Sequence, residues 1–370
     1  MARIYFYCGN DERPSGGVRK LYRQADILNK YGFDSVILHP HPGMRCMWFE
    51  NFTPVEYKNL FDERKPFAEA VFDAGRFLCR PAYRAAQTRL LKQRLGWRMR
   101  NAGYSEPQFA GSDVLVLPEI CGPEICRAAP GVRKVIFNQN VYYSFWGYPL
   151  DSAVSDTPYL SREIEAALMV SRQNEKYLHS IFPNLKTGVV RHSVDSGLFY
   201  PGAAKKKQIA FMPRKLREQA QHLVNALKYR GRLDGFEFVP IENRPEAEVA
   251  RIIRESLIFL SFGTLEGFGL PPLEAMACGC IVIGYHGNAG AEFFDKEFSY
   301  PVNAEDMDGY IEAVESVIKQ YSSDPGALSL KARKAQVFVA ENYSAAQEEK
   351  SIVGFWAGLL GRPVPPALQA

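Results

Sequence analysis

Apolar and polar positions along the 370-residue chain alternate between two rhythms. Short runs rich in Val, Ile, Leu and aromatic residues read as buried strands. They are Arg3–Cys8, Ser35–His39, Asp113–Leu117, Lys134–Asn138, Leu168–Ser171 and Thr187–Arg191, then Gln208–Met212, Phe236–Ile241, Leu257–Phe262 and Cys280–Tyr285. Between them lie stretches whose apolar residues recur at helical spacing, among them Val18–Tyr31 and Gln219–Tyr229. Strands alternating with helices predict parallel, doubly wound sheets covered on both faces. One open sheet rarely holds this many strands, and the Pro/Gly/Lys-rich stretch Tyr200–Lys207 interrupts them. The chain therefore reads as an α/β protein with two Rossmann-like domains joined there. Small ligands in such architectures bind beyond the carboxyl ends of the strands.

Composition narrows the classes. Apolar residues make up 46% and charged residues 23%, enough for two sizeable cores and incompatible with global disorder. The balance of 45 basic against 41 acidic residues is too mild to require nucleic acid, and no such partner is expected. Arg3–Tyr7 opens a strand with no basic leader or cleavage site before it, so no secretory signal is expected. Glycines break the longest uncharged stretches, such as Ala275–Ala291, so no spanning helix is expected. The seven cysteines are scattered: Cys278-Gly279-Cys280 is too tight for a zinc pair, and Cys121/Cys126 has no second pair. Reduced thiols, a cytoplasmic location, and no metal or other cofactor are expected.

Residues 76–100 stand apart. They carry Arg76, Arg80, Arg84, Arg89, Lys92, Arg94, Arg98 and Arg100 with no acidic residue, and Tyr83, Ala86, Leu90, Leu91 and Leu95 form an apolar stripe. Two readings stay open: a basic amphipathic helix on an anionic membrane surface, or the solvated face of a helix packed on the first domain.

The most informative stretch is Ser261–Gly279. A buried strand is predicted to end near Phe262, followed by a Gly-rich turn holding Glu266 and then by a helix with Pro271-Pro272 in its first turn. Gly267 and Gly269 let backbone amides approach a ligand, and the helix start adds unpaired N–H groups. That arrangement suits a diphosphate or sugar hydroxyls. Glu266 and Glu274 lie eight positions apart, about 12 Å if wholly helical, against roughly 5 Å for a retaining glycosidase pair. They suit two separate grips on one extended ligand. Asp306-Met307-Asp308 opens a helix and reads as an N-cap rather than a metal site.

Glu266-x7-Glu274 within EGFGLPPLEAMACGC resembles the signature of retaining glycosyltransferases of the B-type two-Rossmann (GT-B) fold, the glycogen-synthase-like and mannosyltransferase-like family. Gly16-Gly17 is similar to the family's glycine pair at the donor phosphates. Val190–Asp195 with Phe199 and Pro201 resembles the segment that opens the family's second domain, and Asn288–Glu292 resembles its Gly-Gly…Glu turn. The resemblance implies an acceptor domain at 1–197, a donor domain at 198–343, and a helix at 344–370 returning to the first. It implies that Glu274 holds the nucleotide ribose and that Glu266 contacts the transferred sugar. The backbone of Gly267, Phe268, Gly269 and Leu270 would face sugar and phosphate, and Arg214 would bind phosphate, with Lys215 beside it.

Two departures are visible. The family has a lysine where this chain has Gln219, and Lys215 or Arg217 can substitute. The family often has a histidine after a first-domain strand, where this chain has Asn138, Gln139 and Asn140, which remain acceptor or sugar candidates. The aromatic cluster that follows, Tyr142 to Tyr148, can stack on sugar or lipid or simply pack. The implied function is metal-independent, retaining transfer from a nucleotide-diphosphate sugar to a glycan or lipid-linked glycan; peripheral contact to anionic membrane through residues 76–100 follows only from the membrane reading of that segment. Rival readings are an epimerase or phosphorylase on the same fold, or a non-catalytic carbohydrate- or membrane-binding relative.

Overall fold

The computed structural model describes residues 2–9, 15–61, 105–202 and 204–369, so the basic segment 76–100 lies outside the described residues. The chain divides into two compact units: Met1–Met169 with Leu178–Gly188 and Ile352–Ala370, and Val170–Tyr177 with Val189–Ser351.

The first unit is built on β1 (Arg3–Tyr7), β2 (Asp34–His39), β3 (Val55–Tyr57), β4 (Val114–Pro118), β5 (Arg133–Asn138), β6 (Ile164–Met169) and β7 (Thr187–Val189). Their order is β3-β2-β1-β4-β5-β6-β7, with β1 parallel to both β2 and β4. Helix α1 (Gly16–Lys30) follows β1. Ser15 caps it, its Oγ accepting from the Val18 N–H at 3.2 Å, and Tyr22, Ala25, Ile27 and Leu28 form its buried stripe. Helix α8 (Ala345–Leu359) brings its last residues into this unit. There Trp356 is fully buried with its ring 5.8 Å from Phe6, and Arg362 lies 4.1 Å over the Phe33 ring.

The second unit carries β8 (Lys206–Phe211), β9 (Glu237–Pro240), β10 (Ser256–Glu266), β11 (Ile281–Asn288) and β12 (Tyr300–Val302) in the order β12-β11-β10-β8-β9. Helices α3 (Arg217–Arg230), α4 (Glu246–Glu255), α5 (Leu270–Ala277), α6 (Met307–Ser323) and α7 (Pro325–Asn342) complete it. Its core includes Ile209, Leu223, Leu260, Ile283 and Val314. From β8 the chain steps to β9 on one side, then to β10 on the other. The strand order therefore reverses between β8 and β10, and a ligand crevice belongs at their carboxyl ends. In the first unit the same reversal lies between β1 and β4.

Three details differ from the pattern-based expectation. β3 and β12 were not predicted, because each has three residues and no apolar run, and β12 is an edge strand containing Pro301. β10 continues past Phe262 as far as Glu266, through a register shift between Gly263 and Glu266. Glu266 thus ends a strand rather than sitting in the turn. Finally, the stretch expected as a linker packs within the second unit: Arg254 donates to the Leu198 carbonyl at 2.9 Å and lies 4.4 Å over the Tyr200 ring, and Lys206 begins β8. Asp306 does cap α6, accepting from the Gly309 N–H at 2.9 Å. Among the described residues no helix is long and apolar enough to cross a membrane.

Candidate active site

The strand-order reversal of the second unit gathers three of the candidate residues. After the register shift, Glu266 pairs with Asn288 of β11. Its side chain runs between two glycines: a Cβ on Gly287 would lie 2.7 Å from Glu266 Cγ, and one on Gly263 would lie 3.1 Å away. The slot therefore exists only because both neighbours lack a side chain. From the turn after β8, Lys215 Nζ reaches Glu266 Oε2 at 2.5 Å, with the lysine side chain 45% exposed and the glutamate 18%. Arg214, adjacent in that turn, is exposed and makes no ion pair among the described residues. An anion approaching this edge would thus meet a guanidinium and an ammonium together, beside a carboxylate.

The turn Gly267–Leu270 follows directly. Gly269, at φ +93, precedes α5 and offers no side-chain cap. Phe268 is buried, its ring 4.6 Å from His192 and 5.6 Å from both Phe293 and Tyr343. Its side chain anchors the turn, so what it can offer a ligand is backbone. Glu274 sits half-buried in the second turn of α5.

A brace that sequence reasoning missed holds this turn from behind. Helix α2 (Arg172–Ile181) places the fully buried Asn174 so that its Nδ2 donates to the Gly267 carbonyl at 3.0 Å. The neighbouring Gln173 N–H donates to Glu292 Oε1 at 2.9 Å, and the Gln173 amide lies 3.4 Å from Asn288 Oδ1. Asn288 in turn donates its N–H to His286 Nδ1 at 3.0 Å, which in the neutral ring leaves the proton on Nε2. Burial pushes the Glu292 carboxyl above its ordinary range. Polar residues in a helix's first turn are common, so nothing in the sequence marks these. Asn174→Ala should lower kcat/KM about tenfold well below its Tm, because a loosened turn misplaces the backbone amides. An unchanged kcat/KM at that temperature would reduce Asn174 to a packing role.

In the first unit, Gly16 and Gly17 form the first turn of α1. The Gln139 side-chain amide rests against Gly17, where a Cβ would come within 3.0 Å of Gln139 Oε1. Of the three residues 138–140, Asn138 has an internal task. It is fully buried, and its Nδ2 donates to Ser144 Oγ and Tyr159 Oη, each at 2.7 Å. Gln139 and Asn140 are half-buried.

Glu119, not singled out from sequence, organises them. It follows β4, is buried, and accepts from the Asn140 N–H at 3.0 Å and from the Gln139 N–H. Loss of hydration raises its pKa from 4.5 to about 7. Across that interval the native state holds a proton that the unfolded chain releases, so stability falls as pH rises through it. Glu119→Gln should flatten this slope, by about 3 kcal/mol between its ends, in urea titrations run from about pH 5 to 8. A wild-type slope matching the variant's would place the carboxyl's titration elsewhere.

The second unit thus sets an acid, a basic pair and a Gly-rich turn at the strand-order reversal of its sheet. Residues 215–335 match the family model described as glycosyl transferases group 1. An α-1,6-glucosyltransferase of Actinobacillus pleuropneumoniae serotype 7 is 27% identical over 191 residues, 49% of this chain and 55% of that protein. The chain thus matches about half the length of this curated relative. Sucrose-phosphate synthase from Thermosynechococcus elongatus superposes with a TM-score of 0.64 at 14% identity, covering 98% of this chain and 100% of that one. Staphylococcus aureus TarM, solved with UDP and α-GlcNAc-glycerol, gives 0.61 at 8%, covering 97% and 100%. Anabaena HepE, solved with UDP and glucose, gives 0.57 at 12%, covering 97% and 100%. These structures share the fold.

Proposed function

We propose that the protein is a retaining, metal-independent glycosyltransferase that moves a hexose from a nucleotide-diphosphate sugar to a glycan or lipid-linked glycan. The observation that carries this reading is the Lys215–Glu266 pair, held in a glycine-walled slot beside the Gly267–Leu270 turn. Arg214 supplies a planar fork for the departing diphosphate. Lys215 has three N–H donors, enough to keep Glu266 and still meet a phosphate oxygen, so it takes the place of the family lysine that is Gln219 here. Glu266 accepts from the sugar's hydroxyls, Glu274 from the ribose, and Gly16 and Gly17 leave room for the donor phosphates.

In the proposed step the acceptor oxygen bonds to C1 on the face from which the diphosphate departs. The C1–O bond to phosphate breaks, and the acceptor proton passes to the leaving phosphate oxygen. Fixed cations stabilise the charge that develops there. No protein base is needed, consistent with amides rather than a histidine at 138–140. The basic segment 76–100 supports an acceptor at an anionic membrane surface.

The glucosyltransferase relative and the UDP found in two structural neighbours make UDP-glucose the first donor to try. A thermal-shift screen against UDP-, GDP-, ADP- and dTDP-sugars should show selective stabilisation by one nucleotide class. NMR of the product should then show the donor's anomeric configuration kept. Inverted product, donor conversion without acceptor, or dependence on free phosphate would each overturn the proposal.

A further inference from the structure

We infer that the first unit binds one zinc ion between Cys8, His39 and Cys46, at a site separate from the residues assigned to sugar transfer. The ligand atoms of these three residues all lie within 4.8 Å of one another, and each residue is at most 1% exposed. A tetrahedral zinc with Zn–S near 2.3 Å and Zn–N near 2.0 Å sets its ligand atoms roughly 3.5–4 Å apart, so closure around an ion takes adjustments of about an ångström.

The placement follows from the sheet. Tyr7 is in register with Leu38, and the Cys8 N–H donates to the Leu38 carbonyl at 2.9 Å. Cys8 therefore directly follows β1, beside His39, the last residue of β2. Cys46 arrives from the loop beyond. Tyr22, fully buried on α1, fixes the other two: its Oη is 2.8 Å from His39 Nε2 and accepts from the Cys46 N–H at 3.2 Å. With Nε2 engaged by a hydroxyl, Nδ1 is the ring nitrogen offered to the ion. Metal-bound histidines are commonly oriented through the opposite nitrogen in this way.

The chemistry selects the cation. Thiolates and imidazole favour zinc or monovalent copper over magnesium, calcium or manganese. Two thiolates with one Zn²⁺ sum to zero charge, and a neutral assembly is what a buried site tolerates. Three protein ligands leave one corner of the tetrahedron for a small molecule. The ion would pin the ends of β1 and β2 and the loop that carries Cys46. Sequence spacing hides this set because Cys8 and His39 meet only through parallel strand pairing. The expectation of no metal rests on cysteine and Asp-x-Asp spacings along the chain, which do not register ligands brought together by strand pairing.

The full chain, purified without chelator, should carry about one zinc per molecule by elemental analysis. After stripping under reducing conditions, titration with Co²⁺ alone should give thiolate-to-cobalt charge-transfer bands and tetrahedral d–d bands. Zinc reloading should raise Tm. Cys8→Ser and Cys46→Ser should each lose the zinc and the cobalt spectrum, whereas Tyr22→Phe should retain the spectrum with about 10–100-fold weaker zinc binding in chelator competition. Zinc well below one equivalent, both as isolated and after incubation with excess zinc, would overturn the inference even if the serine variants failed to fold. So would cobalt bands that persist in both serine variants, or an intact mass showing a reducible Cys8–Cys46 disulfide.

Discussion

Glu266→Gln should lower kcat/KM by about 100–1,000-fold, the loss usual when one preorganised charge contact at a reacting centre is removed. The amide is nearly the same size, so the slot between Gly263 and Gly287 stays filled. What disappears is the negative charge facing Lys215 at 2.5 Å and one of the two oxygens that accept from sugar hydroxyls, replaced by an NH2 donor. Because the lysine side chain is 45% exposed, the ion pair itself contributes under about 1 kcal/mol to stability. The variant's Tm and far-UV spectrum should match the wild type's, separating chemistry from folding. Near-normal turnover by a folded Glu266→Gln protein would remove this carboxylate from the reaction and sink the mechanism.

Gly287→Ala should damage both stability and activity. Gly287 has φ +65, and the added Cβ would sit 2.7 Å from Glu266 Cγ and 3.0 Å from its Cβ. A left-handed conformation costs an alanine about 1 kcal/mol, and forcing a methyl into a filled slot adds roughly 1–3 kcal/mol. Displacing the Glu266 carboxylate by about an ångström would lower kcat/KM up to about a hundredfold. Gly111→Ala is the control, since a Cβ there meets nothing within 4 Å and the backbone is not left-handed. Chemical denaturation and steady-state kinetics on both variants test this. A Gly287→Ala protein indistinguishable from the control would show that the slot does not constrain Glu266.

The parallel sheets were legible because their central strands are buried on both faces and read as unbroken apolar runs, such as Val114–Pro118 and Ile281–Tyr285. Val55–Tyr57 and Tyr300–Val302 were not, since each is three residues long and interrupted at its centre, by Glu56 and by Pro301. The stretch around Glu266 and Glu274 was visible through its glycines and prolines. Its partners were not. Lys215 meets Glu266 across 51 positions, and Asn174 meets Gly267 across 93. Such encounters are decided by sheet order, which local spacing does not encode. Glu119 left a trace that could have been used, an acid placed immediately after the fully apolar strand β4.

The first unit contains Ile352–Ala370, with Trp356 at its interior against Phe6. The ribosome therefore delivers every residue of the second unit before it releases the last segment that the amino-terminal interior requires. The nascent first unit must wait with an unfilled core, and any change that disturbs residues 352–370 edits the interior built by β1.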